Sequence, residues 1–147
     1  MEDIRFEAAR AADLADIQAL LRTSGLPSDD LGADDLRDFI VARRGGAIVA
    51  SVGLQPLGEV ALLRSLAVAP DLRGLRIGHA LWEKARERAR ARGFTKLYLL
   101  TTTAAGLFER LGFQAISREL APDVVRSTSE FASLCPSTAT VMMTDLP

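Results

Sequence analysis

Apolar and polar positions along this 147-residue chain change period many times, and each change marks a predicted element. Ile4 and Phe6 alternate with charged residues before Ala8, the pattern of a half-buried strand. From Asp13 onward Leu14, Ile17, Leu20 and Leu21 fall at helical spacing until Gly25 and Pro27 stop it. A polar loop over 28–33 leads to a short helix with Asp34 and Asp35 in its first turn. Residues 39–43, 47–54 and 59–69 are apolar runs parted by Gly45-Gly46 and by Gln55-Pro56-Leu57-Gly58, which predicts an antiparallel meander. Ile77, Leu81, Ala85 and Ala89 then recur at i+4, with Glu83–Arg86 and Glu87–Arg90 as ion pairs on the wet side and Gly93 at the end.

Residues 96–101 read as a strand apolar on both faces, and the strand, helix, strand order implies a parallel crossover. A short helix over 104–111 is closed by Gly112, and a strand over 113–119 follows. A helix opens at Pro122 with Val124, Thr128, Phe131 and Leu134 on one face, and a β-branched strand over 138–144 ends the chain. The expected fold is α/β or α+β, one domain over 1–147, with a mixed sheet of about seven strands and helices against it.

Composition changes this picture little. Hydrophobic residues at 48% and charged ones at 25% are ordinary for a globular chain, and a formal charge of −1 gives no footprint for nucleic acid. Cys135 is the one cysteine and His79 the one histidine, so neither a disulfide framework nor a metal site is expected. No basic leader precedes an apolar stretch and no 18 apolar residues run together, so the chain is read as cytoplasmic, without membrane contact.

Charge matters locally. The strand over 60–68 runs into Ala69-Pro70-Asp71-Leu72-Arg73-Gly74-Leu75-Arg76-Ile77-Gly78 and then a helix. A basic, glycine-containing turn at a helix start gathers backbone N–H groups, a partial positive charge and two guanidinium groups. The expected ligand is a pyrophosphate. The sequence is neither a dinucleotide-binding Gly-x-Gly-x-x-Gly nor a P-loop.

Leu66-Ala67-Val68-Ala69-Pro70, then Arg73-Gly74-Leu75-Arg76-Ile77-Gly78, then Leu111-Gly112-Phe113 resemble the signature of the GNAT superfamily of acyl-CoA-dependent N-acetyltransferases. The resemblance implies a mostly antiparallel sheet with helices on both faces. It also implies acetyl-CoA as co-substrate, with no metal, held by Leu66, Ala67, Val68, Arg73, Gly74, Leu75, Arg76, Ile77, Gly78 and Phe108. The backbone N–H of Leu66 would face the thioester oxygen and stabilise charge developing there. The motif's first glycine is replaced by Arg76. Arginine at positive φ would be strained by about 1–3 kcal/mol, so Arg76 is expected at an ordinary φ, donating its N–H and adding a phosphate-seeking side chain.

Two side chains common in the family are replaced: Phe108 stands where a tyrosine acts as acid, and Arg64 where a glutamate acts as base. Glu59 and Thr102 are the remaining candidates for water-mediated proton transfer. A site without a strong base suits a low-pKa amine. An α-amino group with pKa ~8 is roughly a quarter neutral near pH 7.5, a lysine with pKa ~10.4 about a thousandth. Arg64 either holds an anionic group of a small acceptor or pairs with a carboxylate such as Glu59 or Glu130. Residues 62–68, 99–103 and 130–136 are similar to the arsenic-resistance-associated GNAT proteins, which are related to the acetyltransferase domain of N-acetylglutamate synthases. That likeness implies an amino-acid-like acceptor, linked in some members to arsenic, near Arg126 and Ser133 of the C-terminal helix. Arg126 and Glu130, at i+4, are alternatively a pair. An acyl-CoA sensor and a protein N-acetyltransferase are the other readings. The last strand leaves a homodimer open.

Overall fold

The computed structural model describes residues 3–74, 76–135 and 137–147, with Ser133 and Leu134 as backbone alone. A seven-stranded sheet in the order β1-β2-β3-β4-β5-β7-β6 carries the chain. Its strands are β1 (Ile4–Ala8), β2 (Phe39–Arg44), β3 (Ala47–Leu57), β4 (Val60–Val68), β5 (Lys96–Thr101), β6 (Gln114–Ile116) and β7 (Thr140–Asp145). The helices are α1 (Leu14–Thr23), α2 (Ile77–Ala91), α3 (Ala105–Arg110) and α4 (Asp123–Arg126). The β4–β5 ladder is parallel, as the strand, helix, strand order predicts, and the ladders of β1–β2, β2–β3, β5–β7 and β6–β7 are antiparallel. The residues group into two compact units, Met1–Leu54 with Ser65–Arg88, and Gln55–Arg64 with Ala89–Pro147.

In the first unit, Ile17 and Leu21 of α1 pack with Leu31, Leu36, Phe39, Val41 and Ala67. Burying each of the two α1 side chains contributes about 1.5–3 kcal/mol. Gly45 and Gly46 take φ of 57° and 88°, the conformation a two-residue hairpin turn requires. Gly53 lies opposite Phe39 in the β2–β3 register, and a Cβ there would stand 2.2 Å from the ring. The absent side chain is what lets the ring lie on the sheet.

The register shift at Ala42/Arg43 leaves Val49 of β3 unmatched in the pairing, and next to it Arg43 is a buried charge. Its guanidinium meets Asp13 at 2.6 Å and also Glu7, while the Arg10 N–H reaches the same Asp13 oxygen at 2.8 Å. The acids in the turn before β2 lie in a 3₁₀ segment, Ala33–Asp38, whose buried Asp38 accepts from Arg88 of α2 at 2.8 Å.

In the second unit, Leu62, Tyr98, Ala121, Val125, Val141 and Met143 form the core. Tyr98 is buried mid-strand, as its position predicts. Along α2 the expected Ile77, Leu81, Ala85 and Ala89 are all buried. The helix ends with Gly93 at φ 80° and with Phe94 N–H bonded to the Ala89 carbonyl at 3.1 Å, a left-handed C-terminal stop.

Three expected boundaries move. β3 runs through Gln55 and Pro56 to Leu57, and its turn is Gly58-Glu59. β6 stops at Ile116, and Arg118–Leu120 form a 3₁₀ turn. The single C-terminal helix is instead α4, a break at Ser127-Thr128, and a π-helical turn Glu130–Leu134. Of the expected face, Thr128 is buried and Phe131 packs against the core, while Val125 is buried in place of Val124. Val125 is fully buried and Val124 is 44% exposed, and the Thr128 hydroxyl bonds the Val125 carbonyl at 2.8 Å in place of a continuing helical turn.

Burial raises the Asp13 carboxyl, but the Arg10 N–H and the Arg43 guanidinium lower it further, leaving it below its ordinary value. Its stabilisation is therefore complete above the unfolded-chain value of about pH 4 and is lost as pH falls through the lower folded value. Asp13→Asn, which leaves buried Arg43 with the exposed Glu7 as its counter-charge, is expected to cost about 1–3 kcal/mol near neutral pH. In urea unfolding across an acid series, the gap between variant and wild type should narrow as pH falls below that window.

Candidate functional site

The turn from β4 into α2 lies within the first unit and is built from local bonds. Ala69 N–H bonds the Val49 carbonyl at 2.8 Å, and Pro70–Leu72 make one 3₁₀ turn that buries Leu72. Gly74 then takes φ 86° and Arg76 φ 64°. This corrects the expectation of an ordinary φ at Arg76: the position does need left-handed backbone, and the arginine adopts it at a cost of about 1–3 kcal/mol. The Arg76 carbonyl accepts from Ala80 N–H at 3.1 Å, so Arg76 caps α2. The N–H groups of Ile77, Gly78 and His79 then have no partner within the helix.

No acidic residue occupies the first turn of this 15-residue helix. Asp71, the last acid before the helix, pairs with Arg44 at 3.2 Å. Arg73 and Arg76 are exposed, and Arg73 Nε donates to the Val68 carbonyl at 3.2 Å, which anchors its guanidinium on the end of β4. A Cβ on Gly78 would stand 3.8 Å from Val68 Cγ2, ordinary contact between the helix start and the strand. The result is a local positive field with helical N–H groups that have no partner within the helix, suited to a phosphate-type anion. Leu75 lies outside the described residues.

Within β4, Ser65 takes φ 61°, left-handed backbone in a non-glycine residue of a strand. Its peptide carbonyl accepts from the Ser51 hydroxyl at 2.8 Å, and Leu66 follows, half-buried. The described β4–β5 ladder covers Val60–Lys96, Ala61–Leu97 and Leu62–Tyr98.

In the second unit Arg64 and Glu130 are both buried and form an ion pair, Nε to Oε2 at 3.6 Å. Cys135 Sγ lies 4.0 Å from the other Glu130 oxygen, and the Cys135 N–H bonds the Glu130 carbonyl at 2.9 Å, which closes the π-helical turn. Of the two readings of Arg64, the structure shows the carboxylate pair, and the carboxylate is Glu130. Arg126 does not take Glu130; it pairs with the exposed Asp123. The Ser133 side chain lies outside the described residues.

The model of the acetyltransferase (GNAT) family matches residues 7–113 of this chain. The chain belongs to that family. It is 33% identical over 138 residues to an amino-acid acetyltransferase of Pseudomonas aeruginosa, covering 86% of this chain and 32% of that protein. The chain thus spans about a third of the length of these curated relatives. The fold is shared with N-acetylglutamate synthase from Neisseria gonorrhoeae, solved with coenzyme A and N-acetyl-glutamate, at a TM-score of 0.84 and 20% identity, over 99% of this chain and 35% of that one. It is also shared with Rv2747 from Mycobacterium tuberculosis, solved with CoA and NLQ, at a TM-score of 0.81 and 23% identity, over 97% of this chain and 99% of that one.

Phe108 is buried edge-on against Phe113, centroids 5.6 Å apart, and is part of the packing of α3. Glu59 is exposed in the turn before β4, where its carbonyl accepts from Thr95 N–H at 2.8 Å. Thr101 caps the next segment, its hydroxyl accepting from Ala104 N–H at 3.0 Å, and Thr102 is exposed in the bend beyond. His79 is half-exposed beside Glu83 at 3.7 Å.

Sequence reading missed the left-handed Ser65, the buried Ser51 and the π-helical turn. The one available signal was Ser51 itself, a hydroxyl in the otherwise apolar run over 47–54. Arg76→Gly is expected to raise stability by roughly 0.5–1 kcal/mol by relieving the left-handed arginine, about 1–4 °C in melting temperature, while weakening binding of pyrophosphate. Thermal denaturation with and without pyrophosphate checks both halves.

Proposed function

We propose that this chain transfers the acetyl group of acetyl-CoA to the amine of a small, amino-acid-like acceptor. The observation that carries the donor half is the acid-free start of α2 behind two left-handed residues and two exposed arginines. These residues fit the diphosphate of coenzyme A. Gly74, Arg76, Ile77 and Gly78 would face it with backbone N–H groups, and Arg73 and Arg76 with charge. The pantetheine arm would lie along the backbone of Leu66, Ala67 and Val68. Acetyl-CoA supplies an activated thioester carbonyl.

The chain's own contribution is binding and orientation. The Leu66 N–H would stabilise charge on the thioester oxygen, and two bound substrates held in place supply much of the remainder. With a phenyl group at Phe108, the departing thiolate takes its proton from solvent. An acceptor that is already partly neutral near pH 7.5 needs no strong base.

The acceptor half rests on the 33% identity to amino-acid acetyltransferases and on the Arg64–Glu130 pair. The Arg64 guanidinium, held in place by Glu130, would complement the carboxylate of an amino acid. An arsenical amino acid is a finer form of the same acceptor class, suggested by the likeness of residues 99–103 and 130–136 to arsenic-resistance-associated relatives.

Acetyl-CoA should raise the melting temperature, and a panel of amino acids and amino-acid-like arsenicals should release free thiol faster than polyamines or peptides. Stabilisation by acetyl-CoA with no thiol released by any acceptor would convert the reading to that of a sensor. Arg64→Lys keeps a charge opposite Glu130 but loses the planar fork. It is expected to raise the acceptor KM about tenfold and leave the acetyl-CoA KM unchanged. An unmoved acceptor KM would assign Arg64 to holding Glu130 alone.

A further inference from the structure

We propose that Ser51 is a positioning residue for acetyl transfer, setting the aim of the Leu66 N–H by gripping the other end of the same peptide group. The inference rests on the reading of that N–H as the donor to the thioester oxygen.

Ser51 has 0% of its surface exposed and stands on β3 between the buried Ala50 and Val52, opposite Val41 of β2. A hydroxyl in such a place is destabilising unless it is bonded. Its bond is to the Ser65 carbonyl oxygen, at 2.8 Å. That oxygen and the Leu66 N–H belong to one peptide unit, which is planar, and the chain has no cis peptide among its described residues. In a trans unit the C=O and N–H point in opposite directions. Holding the carbonyl toward β3 therefore directs the Leu66 N–H toward the opposite edge of β4.

The left-handed φ of 61° at Ser65 is the other half of the device. An ordinary extended residue would carry the following peptide into the regular alternation of the strand. The left-handed residue rotates that peptide out of alternation, and the Ser51 hydroxyl meets the carbonyl where the rotation leaves it. Without this bond the rotated peptide has lost one of the contacts that keep it from relaxing. Ser51 touches neither substrate in this reading and acts only through the peptide it holds.

The test uses the whole chain with Ser51→Ala and Ser51→Thr. The first removes the hydroxyl and the second keeps it. Ser51→Ala is expected to lower kcat 10- to 100-fold with the acetyl-CoA KM within twofold of wild type, and Ser51→Thr to restore most of the rate. By calorimetry, wild type should bind acetyl-CoA more tightly than CoA, and Ser51→Ala should lose that preference while keeping its affinity for CoA. A purely structural serine would weaken both ligands alike or change only the melting temperature, and either result overturns the proposal, as does an unchanged kcat. Should wild type bind acetyl-CoA yet acetylate nothing, the functional reading fails. Ser51 is then judged by the Leu66 amide in nuclear magnetic resonance, whose shift and exchange rate must change in Ser51→Ala and return in Ser51→Thr. If Ser51→Ala does not fold, Ser51→Cys, close in size and a weak donor, carries the same measurements.

Discussion

Left-handed backbone at non-glycine residues is the constraint on which the ligand-facing part of this chain depends. Ser65 and Arg76, with Gly74 between them, fall within twelve residues, in the strand and turn that lead into α2. Ser65 rotates a peptide within β4, and Gly74 with Arg76 bend the chain so that the helix starts with its amide groups clear of acids. Each non-glycine case is costly in isolation. Both persist because nearby groups hold them: the Ser51 hydroxyl on one carbonyl, and the Ala80 amide on the other.

The parts of the fold legible in the sequence are those where one residue type admits one conformation or where periodicity is unbroken. Gly45-Gly46 predicts its hairpin because both residues tolerate positive φ, and Ile77, Leu81, Ala85 and Ala89 predict the buried face of α2 because nothing interrupts them. The C-terminal segment defeated the same reasoning. Val124, Thr128 and Phe131 sit at helical spacing, and Thr128 and Phe131 do meet the core, yet the helix breaks at a threonine whose hydroxyl bonds its own helix's carbonyl, and Val125 is buried in place of Val124. Periodicity counts positions and has no term for a side chain that competes with the backbone.

The turn into α2 was legible as a candidate anion site because glycine and two arginines gather there between a strand and a helix. Arg76 itself was misjudged, since a conformation that favours glycine argued against an arginine adopting it. The carboxylate that pairs with Arg64 was not legible. Arg64 and Glu130 stand 66 positions apart in sequence, and only the fold shows that they meet. A buried pair of this kind says less about stability than about placement, because its Coulomb attraction mostly offsets the desolvation of both groups.

The anchoring of Arg73 on the Val68 carbonyl has a consequence for how tightly a ligand is held. A free surface arginine gives up about 2 kcal/mol of rotamer entropy when a ligand immobilises it fully. Here Nε is already tethered at 3.2 Å, so part of that freedom is gone before any ligand arrives. For the proposed diphosphate site the gain would be one of preorganisation: a guanidinium fixed to the strand end would offer its charge to an incoming anion with less to lose, and release would leave it in place for the next.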